Sequence, residues 1–188
     1  MTGSSRLLSQ KIIQQARKIG FDAAGIAPAD PLLTDRTALD RWLSEGRQGD
    51  MAYLARDPAR RSEPGRVLPG ARSVVVLAMN YYTDPPPSSP SDGSGKISRY
   101  AWGRDYHGVI EPKLEALEAF IIKNGEAAGE ETLCRSYVDY GPVLEKAFAR
   151  RAGLGFIGKN TLLITEGFGS WVFLAVILTT LELEAGSP

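Results

Sequence analysis

The sequence predicts a layered α/β fold, in which a mixed β-sheet is flanked by helices. Segments whose apolar residues have helical spacing alternate along the chain with short runs rich in β-branched and aromatic residues. One run, "RSVVVLAMNYY", is apolar at almost every position, which is typical of a strand buried on both faces. With 188 residues, 43% of them hydrophobic, the chain is long enough for a domain with its own core. We therefore expect a single domain over residues 1–188.

The first part of the chain is predicted to hold two helices and two strands. Apolar spacing indicates a helix in "SRLLSQKIIQQARKIG", which ends at Gly20, and a second in "DRTALDRWLSEG", which ends at Gly46. Between them, "FDAAGIAPA" is typical of a short strand followed by a turn. The Arg- and Pro-rich stretch "YLARDPARRSEPGRVLPGA" indicates a loop before the long apolar strand. After that strand, the low-complexity "TDPPPSSPSDGSGK" predicts a flexible internal loop over residues 84–96.

The second part is predicted to alternate helix and strand again. A long amphipathic helix is expected in "HGVIEPKLEALEAFIIKNG", with Pro112 near its first turn, and a strand in "ETLCRSYVDYG". A further helix, "PVLEKAFARRAG", is expected to begin at Pro142 and to end at Gly153. The last stretch, "TLLITEGFGSWVFLAVILTTL", is rich in β-branched and aromatic residues around a Gly-containing turn, so it predicts a hairpin.

The segment "GLGFIGKN" departs by one residue from a nucleotide-binding P-loop. The pattern G-x-x-x-x-G-K-[S/T] is met at Gly153, Gly158 and Lys159, but Asn160 has no hydroxyl with which to ligate Mg²⁺. A P-loop also follows a strand and opens a helix, whereas here a helix precedes the motif and a strand is expected after it. Both departures argue against ATP or GTP binding.

Composition excludes several other classes of function. Lys plus Arg and Asp plus Glu balance at 22 each, so net charge gives no sign of a nucleic-acid or membrane partner. The sequence has no apolar run of about 18 residues and no signal-peptide core, so we expect a cytoplasmic protein. A single cysteine, Cys134, excludes an internal disulfide and a four-thiolate metal site. We predict no metal ligands in this chain.

Four stretches, in this order, carry a resemblance to a known family: "VLPGARSVVVLAMNY", "ISRYAWGRDYH", "YVDYGPVLEKAFARRAGLGFIGKNTLLI" and "GSWVFLAVILTTLEL". The chain resembles the N-terminal half of epoxyqueuosine reductase from about residue 7 to residue 183, and the third stretch is the most specific. The resemblance implies a flavin-reductase-like or cobalamin-processing-like α/β layer with cobalamin lying on it. In that family a ferredoxin-like segment with [4Fe-4S] clusters and a helical-repeat tail follow. We therefore expect a fragment that is inactive without its iron–sulfur segment.

The resemblance also implies an activity and its partners. Epoxyqueuosine at the wobble base of tRNA would be reduced to queuosine, with low-valent cobalt supplying electrons or attacking the epoxide carbon. The partners implied are a tRNA with a queuosine-type anticodon stem-loop and an external electron donor, and the protein is expected to be a monomer. Two alternatives stay open: a cobalamin carrier or trafficking protein without epoxide chemistry, and a flavin-dependent reductase of related fold.

By the same resemblance, eight residues are expected to contact the cofactor: Arg61, Ser98, Asp139, Gly158, Lys159, Asn160, Leu163 and Leu174. Small residues at Gly155 and Gly158 would let the backbone approach a flat macrocycle, and the amide of Asn160 suits the amide side chains of a corrin. Lys146 stands where members of the family often have Arg, which weakens any proposal of a bidentate contact there.

Asp139 is the predicted catalytic residue. It lies between the end of a predicted strand and the Gly141–Pro142 helix start, so its side chain need not be on the outer surface. The resemblance implies a general acid, because the oxygen that leaves the epoxide departs more easily once it is protonated. A desolvated pocket would keep such a carboxyl protonated, whereas a nearby helix N-terminus would favour the charged form. The alternative is a helix-start residue that satisfies backbone N–H groups.

Each other candidate has a structural alternative. Asn160 could be a turn residue, and Leu163 and Leu174 are core residues by default. His107, the only histidine, is more often a hydrogen-bonded structural residue than a cobalt ligand. Two further groups of residues could be either structural or involved in binding. Four arginines could form a solvated face or contact tRNA phosphates: Arg56, Arg60, Arg61 and Arg66. Trp102 and Trp171 could lie in the core or pack on a ring system.

Overall fold

A four-stranded antiparallel sheet with helices on both faces forms the centre of the fold. The structure, a computed structural model, describes residues 3–84 and 95–186. Its helices are α1 (Gly3–Ile19), α2 (Leu33–Ser44), α3 (Pro58–Ser62), α4 (His107–Ala127) and α5 (Glu145–Arg151). Its strands are β1 (Ala23–Pro28), β2 (Ser73–Asn80), β3 (Cys134–Tyr137), β4 (Gly155–Ile157), β5 (Leu163–Thr165) and β6 (Val172–Thr179). Short 3₁₀ helices lie at Ala52–Ala55, Pro64–Arg66 and Arg99–Ala101.

The strand order in the sheet is β1-β2-β6-β3, and every neighbouring pair is antiparallel. The longest ladder joins β2 to β6, from Ser73 opposite Thr179 to Asn80 opposite Val172. The predicted layered sheet with flanking helices is confirmed. Composition and spacing predicted a mixed sheet, however, and could not show that all of its pairs run antiparallel.

The two faces of the sheet bury separate hydrophobic clusters. Side chains of a strand alternate between faces, so Val75 and Leu77 point into one cluster and Val74 and Val76 into the other. The first cluster packs under α1 and α4, and the second packs under α5, where Phe148 is fully buried. Burial on both faces is the physical reason for the unbroken apolar run that the sequence shows in β2.

The hairpin predicted for residues 161–181 is wrong. Strand β5 pairs with β4, where Ile157 lies opposite Leu163, whereas β6 pairs with β2 and β3 in the main sheet. Only a bridge between Thr165 and Gly169 joins the two ends of the intervening turn. The buried side chains of β6 require cover on both faces, and a position inside the main sheet places them between the two hydrophobic clusters.

Helix α5 begins at Glu145 rather than at Pro142. Its N-cap position is Leu144, which makes no side-chain capping hydrogen bond. The predicted end is confirmed: the helix finishes at Arg151, and Gly153 has a φ of 77°, the left-handed conformation that terminates helices. The predicted order of helix, loop and strand around "GLGFIGKN" is also confirmed, because β4 follows the helix.

Two further expectations concern the loops. The Arg- and Pro-rich stretch before β2 is less irregular than expected, because it contains α3 and two 3₁₀ helices. Of the predicted flexible loop at 84–96, residues 85–94 lie outside the described residues. In the described ranges, no helix is both long enough and apolar enough to cross a membrane.

Candidate active site

Asp139 lies in a tight turn at the end of the sheet where β2 and β3 finish and β6 begins. We call residues 138–141 the aspartate turn. The N–H of Tyr140 donates to the carbonyl of Val138 over 2.6 Å, and Asp139 between them has a φ of 57°. A three-residue turn with positive φ at its centre is rare and strained. Gly141 closes the turn against Tyr137, since a Cβ at that glycine would lie 2.4 Å from the ring carbon Cγ.

The carboxylate of Asp139 faces the start of α4. Its Oδ2 accepts a hydrogen bond from the hydroxyl of Tyr106 and lies 3.9 Å from Nε2 of His107. The side chain is 49% exposed. Helix α5 begins six residues further on without a side-chain cap, so the alternative interpretation of Asp139 as a helix-start residue is not what the structure shows.

Stacked aromatic rings fix the groups that face Asp139. Tyr106 stacks on Phe173 of β6 with a centroid separation of 4.0 Å, and His107 lies between Tyr106 and Tyr140 at 4.1 and 4.5 Å. Nδ1 of His107 is 2.7 Å from a carboxylate oxygen of Asp105. These contacts fit the structural role expected for His107. Its Nε2 is buried and makes no hydrogen bond within the described part of the chain.

Three groups around Asp139 have perturbed proton affinities. Burial, and then the hydrogen bond to Asp139, raise the pKa of Tyr106, so its hydroxyl remains a donor. Hydrogen bonds from His107, first from its backbone N–H and then from its ring, lower the pKa of Asp105. Burial, and then the charge of Asp139, raise the pKa of Glu145 to about 8. Oε1 of Glu145 accepts the backbone N–H of Asp139 at 3.1 Å.

The start of α5 joins three of the predicted site segments. The N–H of Leu144 donates to the carbonyl of Arg61 over 2.9 Å. Glu145 accepts from the aspartate turn, and Nζ of Lys146 donates to the carbonyl of Thr161 over 2.8 Å. Three successive residues therefore connect α3, the aspartate turn and the loop that contains Asn160.

That loop, residues 158–162, is the tip of the β4–β5 hairpin. Its backbone closes through hydrogen bonds from Gly158 to Leu162 and from Thr161 to Gly158, both 2.9 Å long. Oδ1 of Asn160 accepts a hydrogen bond from the N–H of Leu162 at 3.2 Å. Asn160 is therefore a turn residue, which is the structural alternative predicted for it. The amide N–H₂ of Asn160 makes no hydrogen bond within the described residues and can donate to a ligand. A Cβ on Gly158 would lie 2.7 Å from that Oδ1, so the loop itself requires this glycine.

The remaining predicted contacts differ in how a ligand could reach them. Arg61 is partly buried, while Ser98 and Lys159 are exposed. Leu174 is partly buried against the cluster under α5. Leu163 is only 3% exposed and lies in that cluster, so it is a core residue, as its structural alternative predicted.

Sequence reasoning missed Tyr106, Glu145 and Arg99. The guanidinium of Arg99 lies 4.6 Å from the ring centroid of Tyr82 and 4.9 Å from that of Trp171. Both tryptophans in question are partly exposed, at 37% for Trp102 and 39% for Trp171, so neither is a core residue. Tyr106 stands in the conspicuous run "GRDYH", the one signal that could have identified it.

A pocket of about 220 Å³ lies between α4 and β3, beside the aspartate turn. Its lining comprises Glu111, Leu114, Glu115, Ser136, Tyr137, Val138 and Tyr140. No group of three or more His, Cys, Asp or Glu residues suited to a metal ion occurs in the described ranges.

Comparison with known proteins identifies close sequence relatives. Residues 61–140 match the family described as epoxyqueuosine reductase QueG, DUF1730. The epoxyqueuosine reductase of Gloeobacter violaceus is 48% identical over 181 residues, covering 95% of this chain and 54% of that protein. That of Leadbetterella byssophila is 43% identical, covering 96% of this chain and 57% of the relative. The chain thus spans about half the length of the curated relatives it matches.

Solved structures agree with this similarity. An epoxyqueuosine reductase crystallised with an epoxyqueuosine-modified tRNA-Tyr stem loop has a TM-score of 0.84 and 32% identity, over 97% of this chain and 48% of that one. The enzyme of Bacillus subtilis, with a catalytic loop that carries an aspartate swung out of its active site, has a TM-score of 0.79 and 32% identity, over 97% and 47% of the two chains. A B12-dependent reductive dehalogenase, with a TM-score of 0.59 and 17% identity over 100% of this chain and 22% of that one, shares the fold.

Proposed function

Since the chain belongs to the epoxyqueuosine reductase family, we propose that it is the cobalamin-binding catalytic part of such an enzyme. The whole enzyme is proposed to reduce epoxyqueuosine to queuosine at the wobble base of tRNA. The observation that carries this proposal is Asp139, an acid held in a strained turn beside the segments expected to bind the cofactor. One solved relative is bound to a modified tRNA stem loop, and another has its aspartate-bearing catalytic loop swung out of the active site. We propose that the aspartate turn is the corresponding loop of this chain.

The residues present at this end of the sheet fit a large flat cofactor edged with amide groups. The partly exposed rings of Tyr82, Tyr140 and Trp171 offer apolar surface, and the amide of Asn160 offers a donor. We propose that cobalamin is held there by Arg61, Ser98, Asp139, Gly158, Lys159, Asn160 and Leu174. When bound, cobalamin supplies the reducing electrons.

Asp139 is proposed to hand a proton to the oxygen that leaves the epoxide. Tyr106 donates a hydrogen bond to its Oδ2 and orients the carboxyl group. The stack of Phe173, Tyr106, His107 and Tyr140 keeps these groups in place.

The electrons must reach the site from outside these residues. The sequence contains one cysteine, Cys134, and a [4Fe-4S] cluster requires four thiolates. We propose that the family's iron–sulfur segment passes electrons from an external donor. Substrate tRNA and this donor make the cytoplasm the expected compartment, and we propose that the protein acts there as a monomer.

Absorption spectroscopy tests the cofactor assignment and its rivals. The purified chain is incubated with cobalamin or with flavin and freed of unbound ligand. We expect a corrin spectrum to stay with the protein. A flavin spectrum without corrin uptake would reject the proposal in favour of a flavin-dependent reductase. Corrin uptake without epoxide reduction, in a chain that carries the iron–sulfur segment, would favour a carrier.

A further inference from the structure

We propose that Glu145 is a positioning residue, which holds the aspartate turn in the place where Asp139 meets Tyr106. The two residues are joined by the hydrogen bond from the N–H of Asp139 to Oε1 of Glu145. The effect of Glu145 on catalysis rests on the proposed function. The contact itself can be tested without cofactor or substrate.

The aspartate turn needs such support because its backbone is strained. A positive φ at a residue other than glycine persists only where the surroundings enforce it. The tight hydrogen bond within the turn does not fix the turn relative to the rest of the protein. At its two sides, Val138 is buried in the core and Tyr140 stacks on His107. Two hydrogen bonds act on Asp139 itself: Tyr106 bonds its carboxylate, and Glu145 bonds its backbone N–H.

Glu145 is suited to this task because its helix is anchored. It occupies the first turn of α5, where Ala147, Phe148 and Ala149 are buried in the core. The neighbours Leu144 and Lys146 are bonded to Arg61 and to Thr161. A contact from this helix therefore ties the turn to a part of the fold that cannot easily shift.

The contact also survives a change in the protonation of Glu145. A carboxyl group accepts a hydrogen bond through its carbonyl oxygen when neutral and through either oxygen when charged. Since burial raises the pKa of Glu145 to about 8, the neutral form accepts this bond near neutral pH. Glutamine has the same shape and an equivalent Oε1, so it is the conservative replacement.

A solved relative supports the need for a positioning residue. In the B. subtilis relative the catalytic loop that carries an aspartate is swung out of the active site. A loop with two positions requires contacts that differ between them. The aspartate turn makes the bond to Glu145 in the position that the structure shows, and movement of Asp139 away from α5 would break it.

The test measures backbone hydrogen exchange in residues 138–141, in a chain that carries the iron–sulfur segment. Glu145→Ala is expected to speed exchange at Asp139 and Tyr140 on the order of tenfold, because the N–H of Asp139 loses its acceptor. Glu145→Gln is expected to exchange like the parent. Glu126→Ala, an exposed glutamate at the end of α4, is the matched control and should change nothing in the turn.

Kinetics then distinguish positioning from general support of the fold. In Glu145→Ala, kcat should fall about tenfold, whereas the KM for tRNA and the amount of cobalamin bound should stay unchanged. Glu145→Gln should have the kcat of the parent. Unchanged exchange in Glu145→Ala, or a Gln variant as impaired as the Ala variant, would overturn the proposal. If exchange responds as expected but Asp139→Asn turns over normally, the catalytic role of Asp139 fails while the contact stands.

Discussion

Asp139 has a backbone conformation that an aspartate tolerates only with help from its neighbours. Its positive φ, its bond from Tyr106 and its bond to Glu145 all act on one residue. Strained backbone of this kind lowers the stability of the fold, and it occurs mainly at functional sites, where a side chain has to be held in one position. At the scale of single residues, two side chains can therefore be changed with distinct expected results.

Asp139→Asn tests the proposed role of Asp139 as general acid, in a chain that carries the iron–sulfur segment. Asparagine keeps the size of the side chain and tolerates positive φ, but it cannot donate a carboxylic proton. We expect cobalamin uptake to persist and epoxide reduction to fall by roughly 10² or more. Turnover is measured by conversion of epoxyqueuosine-containing tRNA. Near-normal turnover with cobalamin bound would remove Asp139 from the mechanism.

Glu145→Gln tests the effect of burial on a carboxyl group. The pKa of Glu145 is raised to about 8 in the folded chain, so between about pH 4.5 and 8 the folded state keeps a proton that the unfolded state has lost. The contribution of Glu145 to stability therefore falls as pH rises through that window. Because the side chain is only partly buried, we expect the Gln variant to be more stable than the parent at pH 8 by on the order of 2 kcal/mol, and equally stable near pH 4.

Urea denaturation of both proteins at the two pH values measures this difference. Carboxyl groups distant from Glu145 are the same in the two proteins, so their contributions cancel in the comparison. An equal midpoint for the two proteins at pH 8 would show that Glu145 is charged there without a cost to the fold.

At the scale of elements, α5 organises the site through its first turn. Lys146 bonds the carbonyl of Thr161, in the loop where Asn160 is expected to contact the cofactor. The bond is exposed, so its loss should change the free energy of unfolding little. Its effect should appear instead in the placement of the loop.

Lys146→Met removes that bond and retains much of the side-chain length. We expect cobalamin to bind about tenfold more weakly, with the thermal midpoint nearly unchanged. Lys146→Arg keeps a donor and should bind almost like the parent. Lys123→Met, an exposed lysine on α4, is the control. Equal cobalamin affinity in all four proteins would exclude a role for Lys146 in holding the loop.

How much the sequence could predict depends on the range of the interaction involved. The strand around Val75, the helix end at Gly153 and the departure of Asn160 from a P-loop are local patterns, and the structure agrees with each. The pairing of β5 with β4 is not local, because strand partners compete across the chain.

The same limit applies to the candidate site. Asp139 and the loop at 158–162 stand out in the sequence because Gly and Pro residues surround them. Tyr106 lies 33 residues before Asp139, and only the folded sheet brings the two together. Glu145 sits inside an ordinary amphipathic helix, and no feature of that helix distinguishes it from a surface glutamate.

At the scale of the whole molecule, the proposed function assigns cobalamin binding and electron supply to different parts of the protein. The chain has the sheet, the aspartate turn and the hairpin loop that the proposed chemistry needs. With one cysteine in 188 residues, it lacks thiolates for an iron–sulfur cluster.

We therefore expect the 188-residue chain to bind cobalamin but not to reduce epoxyqueuosine with flavodoxin and its reductase. A chain extended by the iron–sulfur segment of the family is the positive control. The measurement is queuosine formed per bound cobalamin. Turnover by the shorter chain at the rate of the extended one would contradict the proposed route of the electrons.

Strand β2 leaves the ribosome long before the strand that completes its pairing. Its partner β1 is already made, but its other edge pairs with β6, from Asn80 opposite Val172 to Ser73 opposite Thr179. At a synthesis rate of about 5–20 residues per second, this edge waits roughly 5–20 seconds. During that time an apolar, unpaired edge is a template for pairing with neighbouring nascent chains. The yield of soluble protein should therefore depend on chaperones that cover β2 until β6 is synthesised.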